Sequence, residues 1–212
     1  MIDVGKQWVV VILAAAALGA EAWGGGKAGD KWFEHEDCKL MQGKFQDGDS
    51  FVLEWKDEKG GKTERTYRLY GVDCPESDGD DGRIKKRIEE QAKHWKADRD
   101  AVLAAGKEAS KFTAKLLKRG KVRILTRGVL GQEVPKQAGR PQRRYALVEV
   151  LDDDGKPRWL HELLLEAGLA RAYGKPAAWP PQEEDRHGEE AAERDFAKKL
   201  KRMERPLWGK GK

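Results

Sequence analysis

The sequence predicts an α+β domain whose core is mainly β-sheet. Short apolar runs with period two recur at five places between residues 38 and 151, and turn-forming residues separate them. Helix-like periodicity occurs between the third and fourth of these runs and again after the fifth. This order is the layout of a five-stranded OB-like Greek-key barrel, a form that commonly presents a nucleic-acid face. We expect three helices packed on the barrel and one extra, inserted helix.

The composition fits one domain with a highly charged surface. Of the 212 residues, 37% are charged, and the formal net charge is +5. A basic balance favours a polyanionic partner, although 42 basic against 37 acidic residues make this weak evidence alone. The sequence has no G-x-S-x-G, C-x-x-C or dinucleotide-binding pattern, and its four His residues lack metal-ligand spacing. These patterns argue against a zinc enzyme and a His-based nuclease.

The N-terminal residues predict export. Residues 8–20 form an apolar run of about 13 residues, which suits a signal peptide and is shorter than the roughly 20 residues that span a bilayer. Ala20-Glu21-Ala22 provides a small-x-small cleavage site. We expect a signal peptide over 1–22, a Gly-rich linker over 23–37 and a secreted or periplasmic protein. An uncleaved membrane anchor is the alternative.

Three strands are expected at the start of the folded domain. Predicted strands 38–46 and 51–55 flank Asp47-Gly48-Asp49-Ser50, whose Asp and Gly residues suit a tight reversal. A second reversal at 59–61 leads into a third strand that ends at Asp73. The three strands would form an antiparallel meander. Cys38 and Cys74 are the two cysteines, and the sequence leaves open whether they pair or remain thiols.

The third strand carries an arginine and leads into two carboxylates. Arg68 lies within the alternating stretch, and Pro75 ends the strand because proline has no N–H for the ladder. Asp73 and Glu76 therefore lie at a turn beyond the sheet edge. Carboxylates at such a turn can hold a hard cation, while a neighbouring guanidinium binds phosphate through two hydrogen bonds.

The remaining elements follow the same periodicities. A polar loop and an amphipathic helix over 83–105 form an insertion at 77–106, whose role is either structural or that of a lid or nucleic-acid-gripping arm. The other predicted elements are a helix at 108–118, strands at 121–127 and 144–151 joined by a basic loop, and helices at 159–167 and 189–205.

Several of these segments resemble the staphylococcal nuclease (thermonuclease) family. The stretch from Arg68 to Glu76 resembles the family signature R-[apolar]-x-[apolar]-[apolar]-D-T-P-E, and residues 47–50 resemble D-G-D-[TS]. Residues 108–113, 161–170 and 207–208 resemble E-A-[ST]-x-F-x, N-x-x-L-[VL]-x-x-G-[LY]-A and the closing L-x-[IL]-W. The resemblance implies a nuclease domain over 38–209, apart from the insertion, followed by a basic tail at 210–212.

The resemblance also implies roles for individual residues. Asp49, Asp73 and the backbone carbonyl of Cys74 would hold one Ca²⁺, although Asp47 and Asp49 acting only as turn formers remains an alternative. Glu76 would activate or orient the attacking water. Arg68 and Arg144 would bind the phosphate from two sides. We favour Arg144 over Arg143 for this role because of the number of residues between it and the end of the fifth strand at Leu151.

Three further residues are expected to bind substrate, namely Arg140, Arg143 and Tyr173. The family pattern D-[KR]-Y-G-R corresponds here to residues 140–144 and lacks the Tyr and Lys that help bind a terminal phosphate in relatives. Tyr173 follows a Gly-Leu-Ala sequence and either stacks near a base or packs against the domain.

The function that follows is an exported, calcium-dependent nuclease. By resemblance it would cut DNA and RNA at the 5′ P–O bond to leave 3′-phosphates, as a monomer without a stable protein partner. The alternatives are a nucleic-acid-binding OB-fold module that has lost catalysis and a membrane-tethered interaction protein with basic helices. The presence of Asp49, Arg68, Asp73 and Glu76 favours the enzyme.

Overall fold

The computed structural model describes most of the predicted domain, namely residues 32–41, 47–56, 60–79, 82–127, 142–179 and 186–209. The predicted signal peptide, most of the predicted linker, Arg140 and the basic tail lie outside these residues. Among the helices that are described, none has the length and apolar character needed to cross a membrane.

Within the described residues the chain forms eight strands and four main helices. The strands are β1 (Trp32–Leu40), β2 (Ser50–Lys56), β3 (Lys62–Leu69), β4 (Val72–Asp73), β5 (Val122–Arg127), β6 (Arg143–Leu151), β7 (Pro157–Trp159) and β8 (Arg171–Ala172). The helices are α1 (Gly82–Trp95), α2 (Arg99–Leu117), α3 (Leu160–Glu166) and α4 (Glu189–Met203).

Five of the strands close into a barrel. The order is β3-β2-β1-β5-β6, with antiparallel neighbours, and a parallel pairing of β3 with β6 closes the ring. Large side chains such as Phe51, Leu53, Tyr67 and Leu69 fill the core and are fully buried. The predicted α+β fold, an OB-like barrel with four helices, is confirmed.

The first strand begins earlier than expected. β1 starts at Trp32 and not at Cys38, so the end of the predicted linker belongs to the barrel. Within β1 only Trp32 and Cys38 are buried. The residues between them are mostly exposed and polar, so the sequence shows no alternation of apolar and polar residues that would predict a strand here. Trp32 packs against Trp179, with ring centroids 5.4 Å apart. The predicted continuation of this strand to residue 46 falls largely on 42–46, outside the described residues.

The predicted third strand is broken into two. β3 ends at Leu69, and Gly71 has a φ of 70°, a conformation that favours glycine. A Cβ on Gly71 would lie 2.4 Å from Leu200 Cδ1, so α4 packs directly against this turn. After the turn, β4 leaves the barrel and pairs with β8, which places Asp73 opposite Arg171.

The two helices after the acidic turn meet at a different point from the predicted one. The boundary lies at residues 96–98 and not near Gly106, because Lys96 has a φ of 51° and Asp98 caps α2 by accepting a 2.7 Å hydrogen bond from Ala101 N. The predicted start of a helix at Glu108 is therefore inside α2. Both helices share a small apolar cluster with Leu207 near the C-terminus.

Candidate active site

The turn before β2 positions the first carboxylate. Thr113 Oγ1 of α2 donates a 2.7 Å hydrogen bond to the Gly48 carbonyl, and Leu69 N of β3 donates to the Asp49 carbonyl at 2.9 Å. Asp49 is buried, and its Oδ2 accepts a 2.9 Å hydrogen bond from Cys74 N. The D-G-D-S turn is thus fixed to the D-C-P-E turn, 25 residues later in the chain.

Arg68 joins the two aspartates. Its Nη1 donates to Asp49 Oδ1 and its Nη2 donates to Asp73 Oδ1, both at 2.9 Å, and its side chain is only 11% exposed. Burial disfavours the charged guanidinium, but Asp49 and Asp73 outweigh this and raise the pKa of Arg68. Arg68 is therefore a permanent cation between two carboxylates.

Asp73 accepts hydrogen bonds from four side chains of the site. Besides Arg68, its oxygens accept from Arg87 Nη2 at 2.7 Å, Arg171 Nε at 3.0 Å and Gln91 Nε2 at 3.0 Å. Burial alone would raise the pKa of Asp73, but the nearby guanidinium groups, with Arg68 first, lower it below the usual value. Asp73 is ionised, with both of its oxygens engaged.

Glu76 lies beside the same group of charges. It is 4% exposed, and its Oε1 lies 2.9 Å from Arg87 Nη2. Burial, followed by the charges of Asp49 and Glu76, raises the pKa of Asp47 to about 7. The backbone N–H of Gly48 and the charge of Arg68 lower this pKa and offset part of that rise.

The structure brings Arg143 to this group. Arg143 pairs with Thr66 in the parallel β3–β6 ladder, so it shares a face with Arg68, two residues further along β3. Arg143 is buried, and its Nη1 donates to Ser50 Oγ at 3.2 Å. Ser50 Oγ in turn donates to Asp49 Oδ1 at 2.9 Å. Arg144, the residue predicted to bind the phosphate, pairs with Tyr67 and lies on the opposite face of β6, so the strand register favours Arg143 for this role.

The donor set suits a hard cation, although the arginines occupy it in this conformation. The described residues contain no group of three or more His, Cys, Asp or Glu side chains spaced to hold a metal ion. Asp49 and Asp73 nevertheless offer carboxylate oxygens and Cys74 a carbonyl, which are the ligands that Ca²⁺ prefers.

The cysteine thiols take no part in this donor set. Cys38 and Cys74 are both buried free thiols, so they do not form a disulfide. Burial, followed by the charge of Asp49, raises the pKa of Cys74 well above its usual value. The thiol of Cys74 is therefore neutral, and only its backbone carbonyl is suited to a hard cation.

A comparison with models of protein families shows to which family this chain belongs. The family model described as staphylococcal nuclease homologue matches residues 66–208, which include Arg68, Asp73, Glu76 and Arg143. This chain belongs to the staphylococcal nuclease family. A search of curated proteins gives no match. The family domain indicates a nuclease, a phosphodiesterase in the general sense, with a nucleic-acid substrate.

Three site residues of this family member were not predicted from the sequence. Arg87 and Gln91 come from α1, and Arg171 comes from β8. The available signal for Gln91 was a polar residue within the stripe of Ile84, Ile88 and Trp95. Arg171 had no local signal, because its contact with Asp73 joins residues 98 positions apart.

Tyr173 lies at the edge of the site. It is 57% exposed, and the Arg171 guanidinium carbon is 4.4 Å from its ring centroid. Tyr173 also lines a cavity of about 340 Å³ whose rim includes Lys198 and Lys201 of α4. The ring is therefore accessible to a ligand and is connected through Arg171 to Asp73.

Proposed function

We propose that this protein is a calcium-dependent nuclease that cuts DNA and RNA at the 5′ P–O bond and leaves 3′-phosphates. The observation that carries the proposal is the convergence of Asp49 and Asp73 on Arg68, with Glu76 beside Asp73 on Arg87 and Arg143 on the same barrel face as Arg68. Family membership supports a nuclease, and the calcium requirement, the substrates and the product ends are the parts that we propose.

The arginines would neutralise the phosphate. A phosphodiester resists attack because it is negatively charged, and its transition state concentrates further charge on the phosphoryl oxygens. Arg68 uses one N–H of each terminal nitrogen on an aspartate, and each of these nitrogens carries a second N–H that can bind a phosphate oxygen. Arg143 provides a second guanidinium on the same face.

Glu76 would act on the attacking water. It is a buried carboxylate beside the arginines, so it is placed to accept a proton from a water or to orient that water. Asp49, Asp73 and the Cys74 carbonyl would hold Ca²⁺. When bound, this ion adds positive charge at the phosphate and makes water easier to deprotonate.

Substrate contacts beyond the scissile phosphate are assigned to Tyr173 and Arg140. The exposed ring of Tyr173 offers a stacking surface for a base, a contact worth about 1–3 kcal/mol in single-stranded nucleic-acid binding. Arg140 lies outside the described residues and is proposed from the sequence alone. We also propose that the protein is exported and acts as a monomer, as its sequence indicates.

The test is a digest of plasmid DNA and of RNA in Ca²⁺, Mg²⁺ or EDTA, with chemical analysis of the product ends. EDTA should abolish cutting. Glu76→Gln should reduce kcat by about 100-fold or more, because a positioned general base contributes about 10²–10⁴ in rate. Arg68→Ala should lose activity by a similar factor. Lys62→Ala, at an exposed position on β3, is the control and should cut normally.

Three results would contradict the proposal or a part of it. Wild-type cutting by Glu76→Gln would remove the assigned base. Tight nucleic-acid binding by the wild-type protein without any cleavage would instead favour the alternative of a binding module that has lost catalysis. Cleavage that leaves 5′-phosphates would contradict the proposed bond.

A further inference from the structure

The inserted helix α1 places one fully buried amide against the backbone of the acidic turn. Gln91 is 0% exposed. Its Nε2 donates to Asp73 Oδ2 at 3.0 Å and to the Cys74 carbonyl at 2.9 Å, and its Oε1 accepts from Glu76 N at 3.0 Å. One side chain therefore contacts three of the four residues of the D-C-P-E turn, all except Pro75.

The partners fix the orientation of this amide. The Glu76 N–H can only donate and the Cys74 carbonyl can only accept, so the Gln91 oxygen and nitrogen cannot be exchanged. Gln91 also occupies a stripe of α1 with Ile88 and Trp95, where an apolar side chain would be the ordinary choice. Burying an amide there is tolerated only because its hydrogen bonds are made.

Arg87 contacts the same turn from the preceding helical turn of α1. Its Nη2 lies 2.7 Å from Asp73 Oδ1 and 2.9 Å from Glu76 Oε1. Residues four apart share a face of a helix, so Arg87 and Gln91 approach the turn together. Gln91 holds the backbone of the turn, and Arg87 holds its carboxylates.

We propose that Gln91 is a positioning residue of the nuclease site and that α1 is therefore part of the catalytic centre. The inference rests on the proposed function and concerns a residue that touches neither the substrate nor the reacting atoms. Gln91 sets the rotation of the Asp73 carboxylate, the direction of the Cys74 carbonyl and the backbone position of Glu76. These are two of the proposed calcium ligands and the proposed base.

The main test replaces the amide by an apolar group of similar length, Gln91→Met. Partners that orient metal ligands typically contribute 10–100-fold to metal affinity or activity. We expect kcat to fall about 10–100-fold and the Ca²⁺ dissociation constant, measured by calorimetry, to rise by a similar factor. KM for nucleic acid should change by less than about threefold, because the substrate-binding arginines remain.

Amide hydrogen exchange provides a readout that does not depend on activity. In Gln91→Met, the Glu76 amide loses its acceptor and should exchange at least about tenfold faster. The Val102 amide in α2, which donates to Asp98 O, should keep its protection. Glu90→Gln is the matched control, because residue 90 is exposed on the same helix and should leave all these measurements unchanged.

A purely structural role for Gln91 makes different predictions. It would lower the melting temperature of Gln91→Met and speed exchange of the Glu76 amide while leaving kcat and Ca²⁺ affinity near wild type, and this result would overturn the proposal. If Gln91→Met does not fold, Gln91→Asn is measured in the same way, because it retains the amide but withdraws it by one methylene. A wild-type protein without nuclease activity would reject the proposed function, while the Ca²⁺ dissociation constants of wild type and Gln91→Met would still decide the role of Gln91.

Discussion

At the level of single residues, the site is a buried network in which arginines separate carboxylates. The single carboxylate of Asp73 contacts three arginines, Arg68, Arg87 and Arg171. All four side chains are largely buried. Buried charges are tolerated only when they are paired, and removing one partner typically costs about 3–5 kcal/mol. The arrangement keeps Asp73 ionised and gathers three guanidinium groups around its carboxylate.

The assignment of the second phosphate-binding arginine is tested by a pair of neighbouring variants. Arg143→Ala should lower kcat/KM by about 100-fold or more, comparable to the loss of one positioned donor to transition-state charge. Arg144→Ala should stay within about threefold of wild type, because this residue lies on the opposite face of β6. Initial rates on one DNA substrate at saturating Ca²⁺ measure both effects.

The stability of the two variants must be compared as well. Arg143 contacts Ser50, so a melting curve has to show that Arg143→Ala remains folded at the assay temperature. The opposite ranking, with Arg144→Ala the more damaged enzyme, would restore the arginine chosen from the sequence and contradict the placement given by the strand register.

Sequence patterns were sufficient to place together the candidate site residues that lie next to a turn. They were not sufficient for residues whose position depends on strand register or on contact with a distant part of the chain. Arg68, Asp73 and Glu76 belong to one short strand and turn, so local pattern placed them together. Arg143 and Arg144 differ by one position, and a shift of one residue moves a side chain to the other face of a strand. No local pattern across the basic loop could settle that choice.

At the level of elements, the acidic turn is positioned by the close approach of α2. A Cβ placed on Gly106 would lie 2.2 Å from the Glu76 carbonyl oxygen and 2.7 Å from that of Pro75. The backbone of the turn therefore rests directly on the helix. The sequence predicted that one helix ends and another begins near Gly106. In the structure α2 continues through this position, and a glycine is required because the backbone of the acidic turn lies against it.

Gly106→Ala tests this contact because helix propensity and steric collision predict opposite changes in the free energy of unfolding. In an exposed helix interior, replacing glycine by alanine stabilises by roughly 1 kcal/mol. Here the added methyl group would collide with backbone that cannot move aside cheaply, so we expect a lower free energy of unfolding, by about 1–3 kcal/mol. We also expect reduced nuclease activity, because the turn that carries Glu76 must shift.

Urea unfolding at neutral pH measures the change in stability. Ala104→Gly, at an exposed position of the same helix, calibrates the glycine effect and should cost roughly 1 kcal/mol. A stabilised and fully active Gly106→Ala variant would show that α2 and the turn are not in direct backbone contact.

At the level of the whole molecule, barrel closure brings distant parts of the chain into one site. The parallel β3–β6 pairing places Arg143 beside β3, and the small β4–β8 sheet places Arg171 opposite Asp73. The barrel was predictable because strand periodicity is local and few topologies fit five strands with this helix order. The β4–β8 pairing was not, because both strands have two residues and no periodicity of their own.

The fold also makes a prediction about acid stability through His161 of α3. The side chain is 1% exposed, its ring lies 5.4 Å from that of Phe196, and no hydrogen-bond partner for Nδ1 occurs among the described residues. Burial, followed by the charge of Lys199, lowers the pKa of His161 to about 3. The folded protein thus keeps this imidazole neutral at pH values where the unfolded chain binds a proton.

The sign of the pH dependence follows from the lower pKa of His161 in the folded protein than in the unfolded chain. Well above pH 6.5, the ordinary pKa of an unperturbed histidine, His161 is neutral in both the folded and the unfolded state, and its full contribution to stability is present. As the pH falls from 6.5 toward 3, the unfolded state alone is protonated and stability is lost, at up to about 1.4 kcal/mol per pH unit. Between pH 7.5 and 5.0 the loss from this residue should be about 2 kcal/mol.

His161→Asn isolates this contribution, and it introduces the residue that the family motif has at this position. Urea unfolding of both proteins at pH 7.5 and 5.0 should show that the variant loses about 2 kcal/mol less than the wild type over this interval, whatever its stability at pH 7.5. His187→Asn changes an exposed residue and should follow the wild-type pH dependence. An equal loss of stability in the His161→Asn and wild-type proteins would mean that His161 is protonated in the folded core, and α3 would then have to sit closer to solvent than in this structure.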